Sequence, residues 1–283
     1  MNGTIVVGVA DHVDDRDAGR RAVSWAIERA ARSGSVLHLV TVVGGPLGVI
    51  GEGEVLERAM EQAGARLERY THEARARGVA VTALVYQGRP VERLVEASVS
   101  ARLLVIGSDY RGPGSGVRRG PHGVRIAAGA HCPVIVVPDI DLSDREGIVV
   151  GADGSSLSEA AIAFGAAEAD RDGQTLTVVT TWVPVPLSVE FDGYPAGYFD
   201  NLQALAEEAQ AISLAGIPED YPDLRVVRVV ERGDAADVLN RFAVHARLVV
   251  VGTHGRGAIA RFLLGSTSHE MIAAPATITA VIR

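Results

Sequence analysis

Residues 248–272 read LVVVGTHGRGAIARFLLGSTSHEMI, and residues 103–126 read LLVIGSDYRGPGSGVRRGPHGVRI. Each is an apolar run ending in glycine, followed by an Arg-Gly pair and then a further glycine. Gly107 and Gly252 stand 145 residues apart, and so do Gly120 and Gly265. The chain therefore carries one sequence twice. The copies differ at the positions that decide their chemistry. Gly255 stands where the first copy has Tyr110, and Ser266-Thr267 where it has Pro121-His122. The second copy is suited to hold an anion on its backbone, and the first has lost the residues this needs.

Around these stretches the two halves run in parallel. Each opens with a β-branched run, Thr4–Val9 and Ile148–Ala152, then an alanine-rich amphipathic segment, Arg20–Ser33 and Leu157–Asp170. Second strands are expected over Val36–Val43 and Thr175–Trp182, long acidic helices over Glu54–Arg77 and Phe199–Ala215, and third strands over Val79–Tyr86 and Arg225–Val230. A short helix after Gly88 or Gly233 leads to a fourth strand, Leu103–Ile106 or Leu248–Val251, and a fifth closes each half, Val134–Val137 or Thr277–Ile282. Strands alternating with helices imply parallel pairing through right-handed crossovers, and solid apolar strands imply sheets covered on both faces. The expected fold is α/β: two tandem doubly wound domains, each a five-stranded parallel sheet flanked by helices. The expected boundaries are 1–138 and 147–283, joined by the acidic, aperiodic linker 139–146.

Bulk properties narrow the function. At 283 residues with 47% hydrophobic and 22% charged residues, each half can bury its own core. A net charge of −8 argues against nucleic acid or an anionic membrane surface as partner. All 27 basic residues are arginine, so P-loop and Schiff-base lysine chemistry is excluded. The single cysteine, Cys132, forms no intrachain disulfide and reads as a buried strand residue. No signal peptide and no membrane span is expected, which suggests a cytoplasmic protein.

In an open doubly wound sheet, ligands sit beyond the carboxyl ends of the strands, where the winding reverses. Here that point lies between the first and fourth strands of each half. In the second half these strands end in VVGADGSS, giving Asp153, and in VVVGTHGRG, giving Gly252 and Gly255. Gly252 lacks a Cβ, so a ligand can lie on the backbone. Gly255 is expected to take positive φ and turn amides inward as a nest. Gly265, Ser266 and Thr267 start a helix, and Thr267–Glu270 fits a capping box. Free amides and the dipole at such a helix start bind phosphate. Asp153 suits ribose hydroxyls or an adenine edge. Arg256 and Arg261 either reach the outer phosphates or pair on the surface.

This pattern resembles the universal stress protein family in its tandem two-domain form. ATP-binding members of that family carry Gly-x2-Gly-x9-Gly-Ser/Thr, which Gly252, Gly255, Gly265 and Ser266 match without a gap. VGADGSSLSEAA resembles the family's first strand, its Asp and the following helix start. The resemblance implies that Asp153 contacts the adenosine, that the backbone at Thr181 touches the adenine, and that Val251 and Gly252 line base and ribose. It implies that Gly255, Gly265, Ser266 and Thr267 hold the phosphates, with Mg carried on them. It further implies pairing through the fifth strands, giving an internal pseudo-dimer and leaving room for a homodimer, and a regulatory role in stress response. ATP is the expected nucleotide, with other adenine nucleotides as alternatives.

The first half departs from that pattern. Ala10 stands opposite Asp153, with Asp11 one residue later, and Tyr110 and Pro121 replace the glycine and the hydroxyl. Weak or absent nucleotide binding is expected there. Arg111, Arg118 and Arg119 around the loop are either a residue of anion affinity or solvated surface. The aromatic stretch 183–200, VPVPLSVEFDGYPAGYFD, is either a flap over the site or a locally packed loop. A rival reading makes the protein a slow ATPase or phosphotransferase, which would need a base and metal-holding carboxylates near the γ-phosphate. Only Asp153 and Glu270 stand near the motif, and His254 has no partner at triad or metal spacing, so no catalytic or metal residue is assigned. A third reading is an interaction module without ligand.

Overall fold

The computed structural model describes residues 3–10, 18–44, 52–108, 110, 122–187, 193–255 and 264–283. The first half runs β1 (Thr4–Val9), α1 (Ala18–Ser33), β2 (Val36–Val43), α2 (Glu52–Ala76), β3 (Val81–Gln87), α3 (Pro90–Ala97), β4 (Leu103–Ser108), α4 (His122–Gly129) and β5 (Val134–Pro138). The second runs β6 (Ile148–Gly151), α5 (Ser156–Asp172), β7 (Leu176–Trp182), α6 (Tyr198–Ser213), α7 (Ile217–Asp220), β8 (Val226–Arg232), α8 (Ala235–Ala243), β9 (Leu248–Gly252), α9 (Ser266–Ala273) and β10 (Ile278–Ile282). By contact density the chain forms two units, residues 1–141 with 272–278, and residues 142–271 with 279–283.

The strand order is β3-β2-β1-β4-β5 in the first half and β8-β7-β6-β9-β10 in the second. In the first half β1 pairs with β2 and β4, β2 with β3, and β4 with β5, all parallel. In the second, β6 pairs with β7 and β9, and β7 with β8, again parallel. This is the α/β architecture expected from the sequence. The central strands β1, β4, β6 and β9 are buried almost throughout, as sheets covered on both faces require. The winding reverses between β6 and β9, and their carboxyl ends leave a crevice there.

Local chemistry sets the element ends. Ser155 accepts the Ser158 N–H at 3.2 Å and caps α5, and Gly173, left-handed at φ 61°, ends it. Along α5, Ala161, Ile162, Gly165, Ala166 and Ala169 form the buried stripe. Gly165 has to be glycine, because a Cβ would collide with Cγ2 of Val150 in β6. The helix expected to run to Ala215 instead stops at Ser213. The chain then makes the separate turn α7, with Pro218 in its first turn. The expected linker is tied down at its end, where the Glu146 N–H donates to His245 O at 3.1 Å and the Gly147 N–H to Gln174 Oε1 at 2.6 Å. Among the described residues, no helix is long and apolar enough to cross a membrane.

Candidate functional site

β6 delivers Asp153 to the crevice through a tight turn. Gly154 takes φ 77°, a conformation that favours glycine, and the Ser155 N–H donates to Asp153 Oδ1 at 3.0 Å. One carboxylate oxygen is thereby fixed to the start of α5. The other, Oδ2, lies against Gly255, where any Cβ would collide with it. The carboxylate and the glycine loop therefore touch across the crevice.

β9 delivers the loop. Its continuation, Thr253, is buried and pinned on both sides. The Thr253 N–H donates to Ile282 O at 2.9 Å. The Thr253 carbonyl accepts the Gly265 N–H at 2.8 Å and the Ser268 hydroxyl at 3.0 Å. One carbonyl thus clamps the start of α9 beside the end of β9. The first intrahelical bond of α9 runs from the His269 N–H to Gly265 O at 2.9 Å. The amides of Ser266, Thr267 and Ser268 precede it and have no acceptor within the helix, which gives this end its partial positive charge.

Three expectations about these residues are corrected. The capping box on Thr267 does not form: the helix begins at Ser266, so Thr267 lies inside its first turn and Gly265 occupies the capping position. The hydrogen bond from Gly265 to Thr253 fixes that earlier start. Gly255 is not among the left-handed glycines, and what demands glycine there is the Asp153 carboxylate. Gly252 lines the cavity, but the direction of its missing Cβ is not towards a ligand. Its missing Cβ would point into protein, 3.2 Å from Leu157 Cβ and 3.3 Å from the His254 carbonyl, so glycine there lets α5 approach the strand end.

These elements enclose a cavity of about 380 Å³, within the range of small-molecule sites. Asp153, Thr181, Val251, Gly252, Gly255, Gly265, Ser266 and Thr267 all line it. Arg256 and Arg261 lie outside the described residues. Further lining comes from residues the sequence did not single out: Val179 of β7, Ser158 of α5, and Ala235 and Leu239 of α8. Asp234 caps α8, accepting the Ala236 N–H at 2.9 Å, and so fixes the start of the helix whose Ala235 lines the cavity. The GDAAD sequence signals this cap, but not that the helix faces the cavity.

His254 also lines the cavity, and its Nε2 is buried without a hydrogen-bond partner. Among the described residues, no group of three or more His, Cys, Asp or Glu could hold a metal. The aromatics of the 183–200 stretch pack on themselves. Tyr194 stacks on Tyr198 with centroids 4.9 Å apart, Phe199 leans on Trp182 at 6.2 Å, and the Tyr194 hydroxyl donates to Val185 O at 2.7 Å. None of these residues lines the cavity, and Phe191 lies outside the described residues.

The corresponding place in the first half is built differently. Ala10 replaces the carboxylate, and its carbonyl accepts Arg66 Nη1 of α2 at 3.0 Å. Tyr110 replaces Gly255, and its carbonyl accepts the Asp139 N–H at 3.2 Å. Asp11, Arg111, Arg118, Arg119 and Pro121 lie outside the described residues.

Comparison with known proteins agrees with this repeat. The universal stress protein family matches residues 1–138 and again residues 145–282. The chain is 38% identical over 187 residues to universal stress protein Rv2005c of Mycobacterium tuberculosis, covering 65% of this chain and 62% of that protein. It therefore spans less than two thirds of that relative's length. It is 31% identical over 284 residues to universal stress protein Rv2623 of the same organism, covering 95% of this chain and 94% of the relative. The fold also matches the crystal structure of a universal stress protein from Archaeoglobus fulgidus, with TM-score 0.70 and 16% identity over 98% of each chain. With both halves matched and full-length relatives at this identity, the chain belongs to the universal stress protein family.

Proposed function

We propose that the second half binds an adenine nucleotide, ATP in the first instance, and that the protein acts as a nucleotide-responsive regulator in stress rather than as a turnover enzyme. One observation carries this reading: a carboxylate, a glycine loop and the amino end of a helix line a single cavity of about 380 Å³. The lining supplies each kind of chemistry a nucleotide would need. Val179, Ala235, Leu239 and Val251 offer an apolar wall to a base. Asp153, whose Oδ1 is held by Ser155, offers a fixed acceptor to ribose hydroxyls. The amides and hydroxyls of Ser266 and Thr267 offer donors to phosphates, and a divalent cation bound there would be carried mainly by the phosphates. In this reading Thr181 contacts the base, Val251 and Gly252 line base and ribose, Gly255 and Gly265 line the phosphate end, and Arg256 is an outer-phosphate contact.

The regulatory reading is favoured over hydrolysis by what surrounds the phosphate end. His254 lines the cavity, but its Nε2 is buried without a hydrogen-bond partner, which does not suit it to activate a water. We read the first half as structural, or as an interaction surface, because Ala10 and Tyr110 stand where the carboxylate and the glycine would be. A cytoplasmic location belongs to the same proposal. Denaturing the purified protein and identifying the released small molecule by mass spectrometry tests it. Adenine nucleotide at close to one per chain is the expected result. Protein that releases none, and that shows no calorimetric signal with added ATP, ADP, AMP or cyclic AMP, contradicts the reading.

A further inference from the structure

We propose that β3 is a docking edge for β3 of a second copy of this chain, the two strands running antiparallel about a twofold axis through Leu84. β3 ends the first sheet and β8 ends the second, so both are edge strands, and edges of this kind are ordinarily protected by charge, proline or a bulge. β8, VVRVVER, is protected: it carries Arg228, Glu231 and Arg232, and Glu231 pairs with Arg241 of α8. β3, VTALVYQ, has no charged residue, no proline and no glycine along its seven positions. Leu84 is 46% exposed at its centre. Among the described residues, no backbone bond from outside the β2 ladder reaches the strand.

The direction of the backbone groups picks out the occupant. The Leu37 N–H donates to Ala80 O, and the Gly88 N–H donates to Val43 O. In a parallel ladder these two bonds turn the amides and carbonyls of Thr82, Leu84 and Tyr86 towards β2. Those of Val81, Ala83, Val85 and Gln87 then point out of the sheet. An antiparallel partner centred on Leu84 uses every outward group. Ala83 meets Val85 of the second copy, and Val81 meets its Gln87, each as a hydrogen-bonded pair. Leu84 meets its own counterpart in a non-hydrogen-bonded pair, where side chains approach most closely. The strand is its own complement, as an isologous twofold contact requires. A neutral edge also selects a neutral partner. Of the two edge strands β3 and β8, only β3 offers one, since β8 carries the charged side chains Arg228, Glu231 and Arg232.

Sedimentation velocity of the full chain over about a hundredfold range of concentration tests this, because association by mass action shifts with concentration. The wild-type chain is expected to pass from monomer to dimer. Leu84→Lys is expected to stay monomeric with an unchanged circular dichroism spectrum, and Val227→Lys on β8 to dimerise as the wild type does. A register test stands independently of these. Under mild oxidation Leu84→Cys is expected to form a disulfide-linked dimer, because the two Cα atoms of the pair would be about 4.5 Å apart. Thr82→Cys, opposite Tyr86, is expected to form none, and the native Cys132 is buried. A wild-type chain that stays monomeric throughout, a Leu84→Lys dimer as strong as wild type, or equal cross-linking of the two cysteine variants would each overturn the proposal.

Discussion

The ends of β1 and β4 in the first half and of β6 and β9 in the second share a scaffold and differ in chemistry. The packing beneath them is nearly the same. A Cβ on Gly8 would come 2.9 Å from Leu94 Cδ1, and one on Gly151 would come 3.0 Å from Leu239 Cδ1. In both halves the short helix before the fourth strand leans a leucine on the glycine of the first. Above that level the halves diverge. Asp153 is held by Ser155 and touches Gly255, whereas Ala10 has no carboxylate and gives its carbonyl to Arg66. Scaffold and site are therefore separable: the fold is maintained by apolar contacts below the crevice, and ligand chemistry by a few residues above it.

The most disruptive test of this contrast installs the first half's residue in the second. Gly255→Tyr places a side chain where the Asp153 carboxylate lies, and is expected to weaken ATP binding by at least about a hundredfold, or about 2.7 kcal/mol. Calorimetry reads the change, and an affinity within a few-fold of wild type would separate the glycine loop from binding. Asp153→Ala comes next. It removes charged hydrogen bonds of about 1.5–3 kcal/mol, so a loss of roughly ten- to a hundredfold in affinity is expected. A loss below about threefold would remove the ribose contact from the account.

Smaller effects sharpen the comparison. Gly8→Val and Gly151→Val each overpack a leucine against the first strand and are expected to cost about 1–3 kcal/mol in urea unfolding. Only Gly151→Val should also lower nucleotide affinity, since Gly151 lines the cavity. An equal effect of both on binding would place a second nucleotide in the first half. The smallest expected effect concerns His38 of β2, whose Nδ1 lies 2.7 Å from Thr82 Oγ1. Burial lowers the His38 pKa below its usual 6.5, so the unfolded chain takes up the proton first. The stability it contributes is present above pH 6.5 and is lost as pH falls below that value. His38→Gln should flatten that slope in thermal melts between about pH 7 and 5, and an unchanged slope would place the titration elsewhere.

Much of this architecture is readable in the sequence, because it rests on local pattern. Short, β-branched apolar runs closed by glycine, such as Leu248–Val251, read as strands covered on both faces, and the constant offset between Gly107 and Gly252 shows the repeat directly. The convergence of Asp153 with Gly255 follows from strand order, so it too is readable before any coordinates. What pattern cannot supply is direction. Gly252 and Gly255 look alike in sequence, but one faces Leu157 and the other a carboxylate, a difference set by tertiary packing. The start of α9 depends on the Thr253 carbonyl, a partner twelve residues from Gly265. The cavity wall from Ala235 and Leu239 depends on how α8 lies across β6 and β7, which helix periodicity leaves open.

The most direct measurement is a crystal structure of the full chain grown with excess ATP and Mg. One nucleotide is expected, in the second half, with its phosphates on the amides of Ser266 to Ser268, its ribose on Asp153 and its base against Val179 and Leu239. A nucleotide bound instead beside Ala10 and Tyr110, or a second-half cavity filled by the protein's own side chains at saturating ATP, would contradict this expectation.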